Sequence, residues 1–136
     1  MTPKTAAQLV QEAKQRVENL SVDQVAAELD SGEAVLIDVR EPGEQVQSGV
    51  IPGAVSAPRG MLEFFADPAS PYHRAEFDPK RRIIVHCAAG GRSALAADTL
   101  QQMGYTNVAH LEGGIKAWSE AGRPVVKDEA GPGQGG

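Results

Sequence analysis

The chain has 136 residues, 41% of them hydrophobic and 23% charged, with a net charge of −5. That length fits one domain able to bury a core unaided, and the acidic balance gives no electrostatic reason to expect nucleic acid or an anionic membrane as a partner. The single cysteine excludes an internal disulfide and leaves no second soft ligand for zinc, so no metal is expected and a reducing compartment is the natural setting.

In chain order, residues 4–18 place Ala6, Leu9, Val10, Ala13 and Val17 on one helical face, an amphipathic helix that packs on the domain or on a partner. The N-terminal segment lacks the uninterrupted apolar run of a signal peptide, and no 18-residue apolar stretch occurs, so a cytoplasmic protein is expected. Ser21 caps a second helix, Val22–Leu29, which Ser31-Gly32 stops. "AVLIDV", residues 34–39, is a continuous apolar run that suits a strand covered on both faces, as in a parallel sheet. "EPGEQVQSG" reads as a turn and a short helix, and two prolines bracket a brief strand around Ala54–Ser56. A short helix is expected at Met61–Ala66, followed by a Pro-rich loop with another helical turn. "RIIVHC" is a buried strand, a helix starts near Ser93 and closes at Gly104, "NVAHL" is a further strand, and "GIKAWSEAG" is a last helix closed by Gly122. The alternation predicts an α/β fold, a central and mostly parallel β-sheet with helices on both faces.

The stretch "HCAAGGRS" carries the chemistry. Cys87 sits where a strand ends and a helix begins, the position at which open α/β sheets bind ligands. Ala88, Ala89, Gly90 and Gly91 add almost no bulk, and the glycines let successive backbone N–H groups turn inward as an anion-binding nest. The helix N-terminus and Arg92 should then favour the thiolate, as such neighbours do when they depress cysteine pKa, and make Cys87 a nucleophile. Packing alone, with cysteine as a small hydrophobe, does not account for each of these choices.

The stretch from "IIVHCAAGGRS" through "LEGGIKAW", with "LIDVREPGE" and "SGVIPGAVSAP" upstream, resembles the rhodanese, or sulfurtransferase, family over roughly residues 20–126. Residues 1–19 then form an N-terminal helical extension and 127–136 a disordered tail. The resemblance implies that Cys87 attacks the sulfane sulfur of a donor such as thiosulfate or a mercapto acid, becomes a persulfide, and is discharged by cyanide, a small thiol or a protein cysteine. The N–H groups of Ala88 through Arg92 would hold the charged sulfur, with no metal or organic cofactor. Asp38 and Arg40 match a family pair that braces the loop, with Arg40 open to an electrostatic role; Arg59 falls either at the pocket mouth or in a surface turn. Ser93 joins these three as a supporting or substrate-contact residue. Gly113-Gly114 and Trp118 belong to the family's C-terminal signature and are structural. By strand alternation His86 points away from the pocket, and His73 and His110 offer no base geometry. Val50 stands where the family commonly has histidine, which removes that side chain's hydrogen bond.

A cysteine-dependent phosphatase or arsenate reductase is the rival enzyme, since the pattern of His-Cys, a small loop and Arg-Ser is shared. Only four residues separate Cys87 from Arg92, however, and the phosphatase-like relatives of this fold have a loop one residue longer, with room for a tetrahedral oxyanion. A third reading is a persulfide-relay or protein-binding module with little small-molecule turnover, docking through the N-terminal helix.

Overall fold

A computed structural model describes residues 2–128. Its centre is a five-stranded sheet in the order β1-β5-β4-β2-β3, formed by β1 (Glu18–Leu20), β2 (Ala34–Asp38), β3 (Val55–Ser56), β4 (Arg82–His86) and β5 (Val108–Leu111). Every neighbouring pair runs parallel, so each strand is reached by a crossover. The crossovers carry α2 (Val22–Ser31), α3 (Pro42–Ser48), α4 (Leu62–Ala66) and α5 (Gly91–Gln102), with a 3-10 turn at Arg59–Met61 ahead of α4, while α1 (Ala6–Arg16) precedes β1 and α6 (Gly114–Glu120) follows β5. None of the described helices is long and apolar enough to cross a membrane.

The pleat divides the interior into two half-cores. Val35, Ile37, Ile83, Val85, Cys87 and Val108 face Ala96, Ala97 and Leu100 of α5 and Leu62 and Ala66 of α4. The alternating positions Leu36, Ile84, Ala109 and Leu111 face Val25 and Ala26 of α2 and Ile115 and Trp118 of α6. Buried on both faces, these strands need no polar alternation, which is why "VLI" and "IIV" read as continuous runs.

The expected α/β fold is therefore present, with four local differences. The first helix ends at Arg16, not at residue 18, because Asn19 Nδ2 donates to the carbonyls of Lys14 and Val17 (2.9 and 3.1 Å) and closes the helix end. After the cap Val17, Glu18–Leu20 form β1, an edge strand that the helical stripe concealed. Helix α5 starts at Gly91, two residues before Ser93, with Gly90 at φ +112° as its cap, and residues 67–81 hold turns only. The lower half of α1 docks on α5 through buried Ala13 and a two-pronged Arg16–Asp98 bridge (2.9 and 2.7 Å), so this helix packs on its own domain. Val50 forms an antiparallel bridge with Val126, which straps the end of the domain onto the segment after α3. The expected disordered tail lies, beyond Asp128, outside the described residues.

Candidate active site

Cys87 follows the last residue of β4 and is 1% exposed, its sulfur covered by the turn that enters α5. Two backbone amides donate to Sγ, Gly90 N–H at 3.1 Å and Ser93 N–H at 3.4 Å. The conformation that aims the first of them requires glycine: Gly90 has φ +112°, and a Cβ there would come within 3.2 Å of Gly113 N. Ser93 Oγ lies 3.6 Å from Sγ and completes the inner side of the bowl. Of the loop amides expected to turn inward, Ala88 through Arg92, Gly90 is the one that donates to Sγ, and the second donor comes from Ser93, beyond that run.

The bowl is held from behind by α6. Ile115 N–H donates to the Cys87 carbonyl (3.0 Å) and Lys116 N–H to the Ala88 carbonyl (3.1 Å). Gly114, at φ +62°, is pressed against the same two carbonyls, so "EGG" is needed for a close approach of backbones as well as for a turn.

The other expected residues fall into different roles. Asp38 and Arg40 form a fully buried ion pair: Arg40 Nε and Nη2 donate to Asp38 at 3.0 and 2.8 Å, Arg40 N–H donates to the same carboxylate, and Nη2 also reaches the Gly49 carbonyl at 2.8 Å. This pair braces the turn from β2 into α3. Arg92 does not point at the sulfur; its guanidinium makes a two-pronged bridge to Glu44 of α3 (2.8 and 2.9 Å), which holds the Glu44 carboxyl pKa down to about 2. Arg59 donates to Glu63 (3.0 Å) and Thr99 (3.2 Å), tying the 3-10 turn to the middle of α5, which is the surface-turn alternative and not the pocket mouth. A cleft of about 280 Å³ adjoins Ala88 and is lined by Arg40, Glu44, Gln47, Ile115 and Lys116 among others.

His86 is fully buried on the α6 side of the sheet, away from Sγ, as alternation required. Its Nδ1 donates to the Cys87 carbonyl at 3.2 Å, Nε2 has no hydrogen-bond partner, and burial pushes the imidazole pKa down against the opposing pull of Asp38. His73 Nε2 lies 3.2 Å from the Phe77 carbonyl, in the Pro-rich loop.

Sequence reasoning left His110 and Asn19 out of the site, and the structure brings both to it. His110 is 0% exposed on the α5 face of β5, with Nδ1 2.9 Å from Ser93 Oγ and Nε2 2.7 Å from Asn19 Oδ1. A signal was present in "VAHL": four buried positions with one polar residue among them demand a partner for that residue. Glu44 was missed as well, since nothing in "REPGE" names Arg92 as the residue it meets across the fold.

The family model for the rhodanese-like domain matches residues 21–121. A sulfurtransferase of Allochromatium vinosum is 35% identical over 100 residues, 74% of this chain and 85% of that protein. Several other curated relatives are longer, this chain spanning 60% or less of them. A Rhodopseudomonas palustris protein of unknown function, described as a possible tyrosine phosphatase, superposes with a TM-score of 0.87 at 42% identity, covering 92% of this chain and 96% of that one. A thiosulfate sulfurtransferase of Pseudomonas aeruginosa superposes with a TM-score of 0.72 at 31% identity, covering 91% of this chain and 23% of that one.

Proposed function

This chain belongs to the rhodanese-like domain family, and we propose that it is a sulfurtransferase working through a persulfide on Cys87. The observation that carries the reading is the pair of amide donors, Gly90 and Ser93, aimed at Sγ from the turn that opens α5. Such donors, with the first turn of a 12-residue helix behind them, favour negative charge at this one atom. In the first half-reaction the Cys87 thiolate attacks the outer sulfur of a donor such as thiosulfate or a mercapto acid. The new Cys87 sulfur–sulfur bond forms as the old bond breaks, and sulfite, or the carbon fragment, leaves with the electron pair. In the second half-reaction cyanide or a thiolate attacks the terminal sulfur and the Cys87 thiolate departs. The negative charge stays close to the same two amides throughout, so their stabilisation need not be rebuilt between steps.

The description of the R. palustris protein gives the phosphatase reading a claim. Against it stands the short loop, Cys87 to Arg92, in which Arg92 is engaged by Glu44 instead of being presented to an oxyanion. A phosphomonoester also needs an acid for its leaving oxygen. Asp38, the carboxylate opposite the end of β4, is buried in its pair with Arg40. The two enzyme readings separate on incubation with thiosulfate or 3-mercaptopyruvate followed by intact mass, run beside an aryl phosphate assay. Gain of one sulfur atom that Cys87→Ser abolishes supports the transferase; phosphate release without sulfur uptake overturns it. Cytoplasmic placement and a protein sulfur acceptor fit the lone cysteine, which leaves no internal thiol to take the sulfur.

A further inference from the structure

We infer that His110 is the proton acceptor of Cys87, reached through the Ser93 hydroxyl, and that Asn19 sets the tautomer that makes this possible. The inference rests on Cys87 being the reacting thiol.

The chain of donors and acceptors can be assigned from its far end. Asn19 Nδ2 donates to the Lys14 and Val17 carbonyls, which fixes the amide so that Oδ1 is the atom 2.7 Å from His110 Nε2. An amide oxygen only accepts, so Nε2 carries the hydrogen. In the neutral ring Nδ1 then holds a lone pair, and Ser93 Oγ, 2.9 Å away, donates to it in preference to the Gly90 carbonyl at 3.3 Å. With its single proton so placed, the hydroxyl turns a lone pair to the Cys87 thiol at 3.6 Å and accepts from it. Ionisation proceeds along this line: the S–H bond breaks as an O–H bond forms on Ser93, and the former Ser93 proton forms an N–H bond at Nδ1. The net change is one proton moved from Cys87 to His110, with no redox step. Ser93 then donates to the thiolate and accepts from the imidazolium.

The charges around the two ends set the balance. Burial holds the His110 pKa below the usual imidazole range, Glu112 Oε2, 3.5 Å from Nε2, favours the cation, and Lys14 of α1, paired with Glu112 at 2.6 Å, opposes it. On the thiol side stand Arg92 with its partner Glu44, and on the opposite sheet face the Asp38–Arg40 pair and His86. A buried imidazolium is therefore favourable chiefly while a thiolate faces it across Ser93, which couples the two protonation events.

The test is the pH dependence of Cys87 alkylation by iodoacetamide, which reads the thiolate whether or not any sulfur donor loads it. Ser93→Ala removes the relay atom, and His110→Asn keeps an acceptor for Ser93 while removing the basic nitrogen. Both are expected to move the alkylation profile to higher pH, the reaction at neutral pH slowing about tenfold for every pH unit the profile moves. Glu112→Gln, a change at a half-exposed carboxylate outside the core, is expected to shift it less and in the same direction. A merely structural role would change the unfolding midpoint and leave the profile in place. Superimposable profiles for wild type, Ser93→Ala and Glu112→Gln overturn the relay. Sulfur loading, read separately by mass, keeps the two ideas apart: the relay can fail while Cys87 still takes up sulfur, and the reverse.

Discussion

Gly114→Ala is the substitution that most sharply separates the packing of the active-site loop from ordinary backbone preference. Gly114 sits at φ +62°, where an L side chain costs about 1–2 kcal/mol. A Cβ there would also stand within 2.5 Å of the Cys87 carbonyl oxygen and closer still to that of Ala88, against the 3.4 Å at which ordinary contact begins. The obstructing atoms are backbone, so relief requires moving the loop by about 1 Å, at an overpacking cost of roughly 1–3 kcal/mol. The sum, about 2–5 kcal/mol, is a large part of a domain's stability. Gly32→Ala is the matched control, since Gly32 has φ +78° with nothing within 4 Å of its added Cβ. Urea unfolding followed by the single, buried Trp118 should show about 1–2 kcal/mol lost in the control and roughly a further 1–3 kcal/mol lost in Gly114→Ala. Sulfur transfer should be untouched in the control, whereas a 1 Å displacement of the Gly90 and Ser93 amides from Sγ costs about 100-fold in rate. Equal stability and equal activity for the two variants would refute the claim that α6 buttresses the loop.

Glu44→Gln frees Arg92 and is expected to lower KM for an anionic donor by about fivefold at most, the equivalent of the ~1 kcal/mol ceiling for half-exposed pairs; a raised KM would contradict it. The same pair sets an acid limb. Because Glu44 falls from 4.5 to about 2 on folding, its contribution is complete above 4.5 and disappears as pH drops through 2, so the difference in urea midpoint between wild type and Glu44→Gln should close over that interval. Burial holds the His86 imidazole below 6.5, so the unfolded chain binds a proton that the native state refuses, and stability is lost as pH falls below 6.5. His86→Asn, which can keep the bond to the Cys87 carbonyl, should flatten that slope in a pH series of unfolding midpoints. Asp38→Ala strands the buried Arg40 charge and should cost about 3–5 kcal/mol by urea unfolding, with much of the loss recovered when Arg40 is also made apolar.

The fold was readable because "AVLID", "RIIVH" and "VAHL" are buried on both faces, and only a parallel sheet between helix layers uses such runs. The three-residue β1 was not readable, because Val17 continues the apolar stripe of α1 and the break depends on Asn19 reaching back to two carbonyls. In the candidate site, Cys87 and its small-residue turn are contiguous, so local spacing was enough to single them out. Arg92 was expected to favour the thiolate, yet its guanidinium is taken up by Glu44, 48 positions away, and Asn19 and His110 are 91 positions apart. Such pairings depend on how strands β1, β5 and β4 are ordered, which periodicity does not encode. Arg59 shows the same limit in reverse, a plausible pocket residue turned aside by Glu63 and Thr99.

The most direct test of the central claim is where a transferred sulfur resides. Wild-type protein treated with thiosulfate or 3-mercaptopyruvate, then freed of donor, should carry one additional sulfur atom by intact mass. Peptide mapping should place it on Cys87, and addition of cyanide should return the original mass with thiocyanate released. A chain whose mass is unchanged by both donors, or that gains sulfur equally well as Cys87→Ser, would contradict the account.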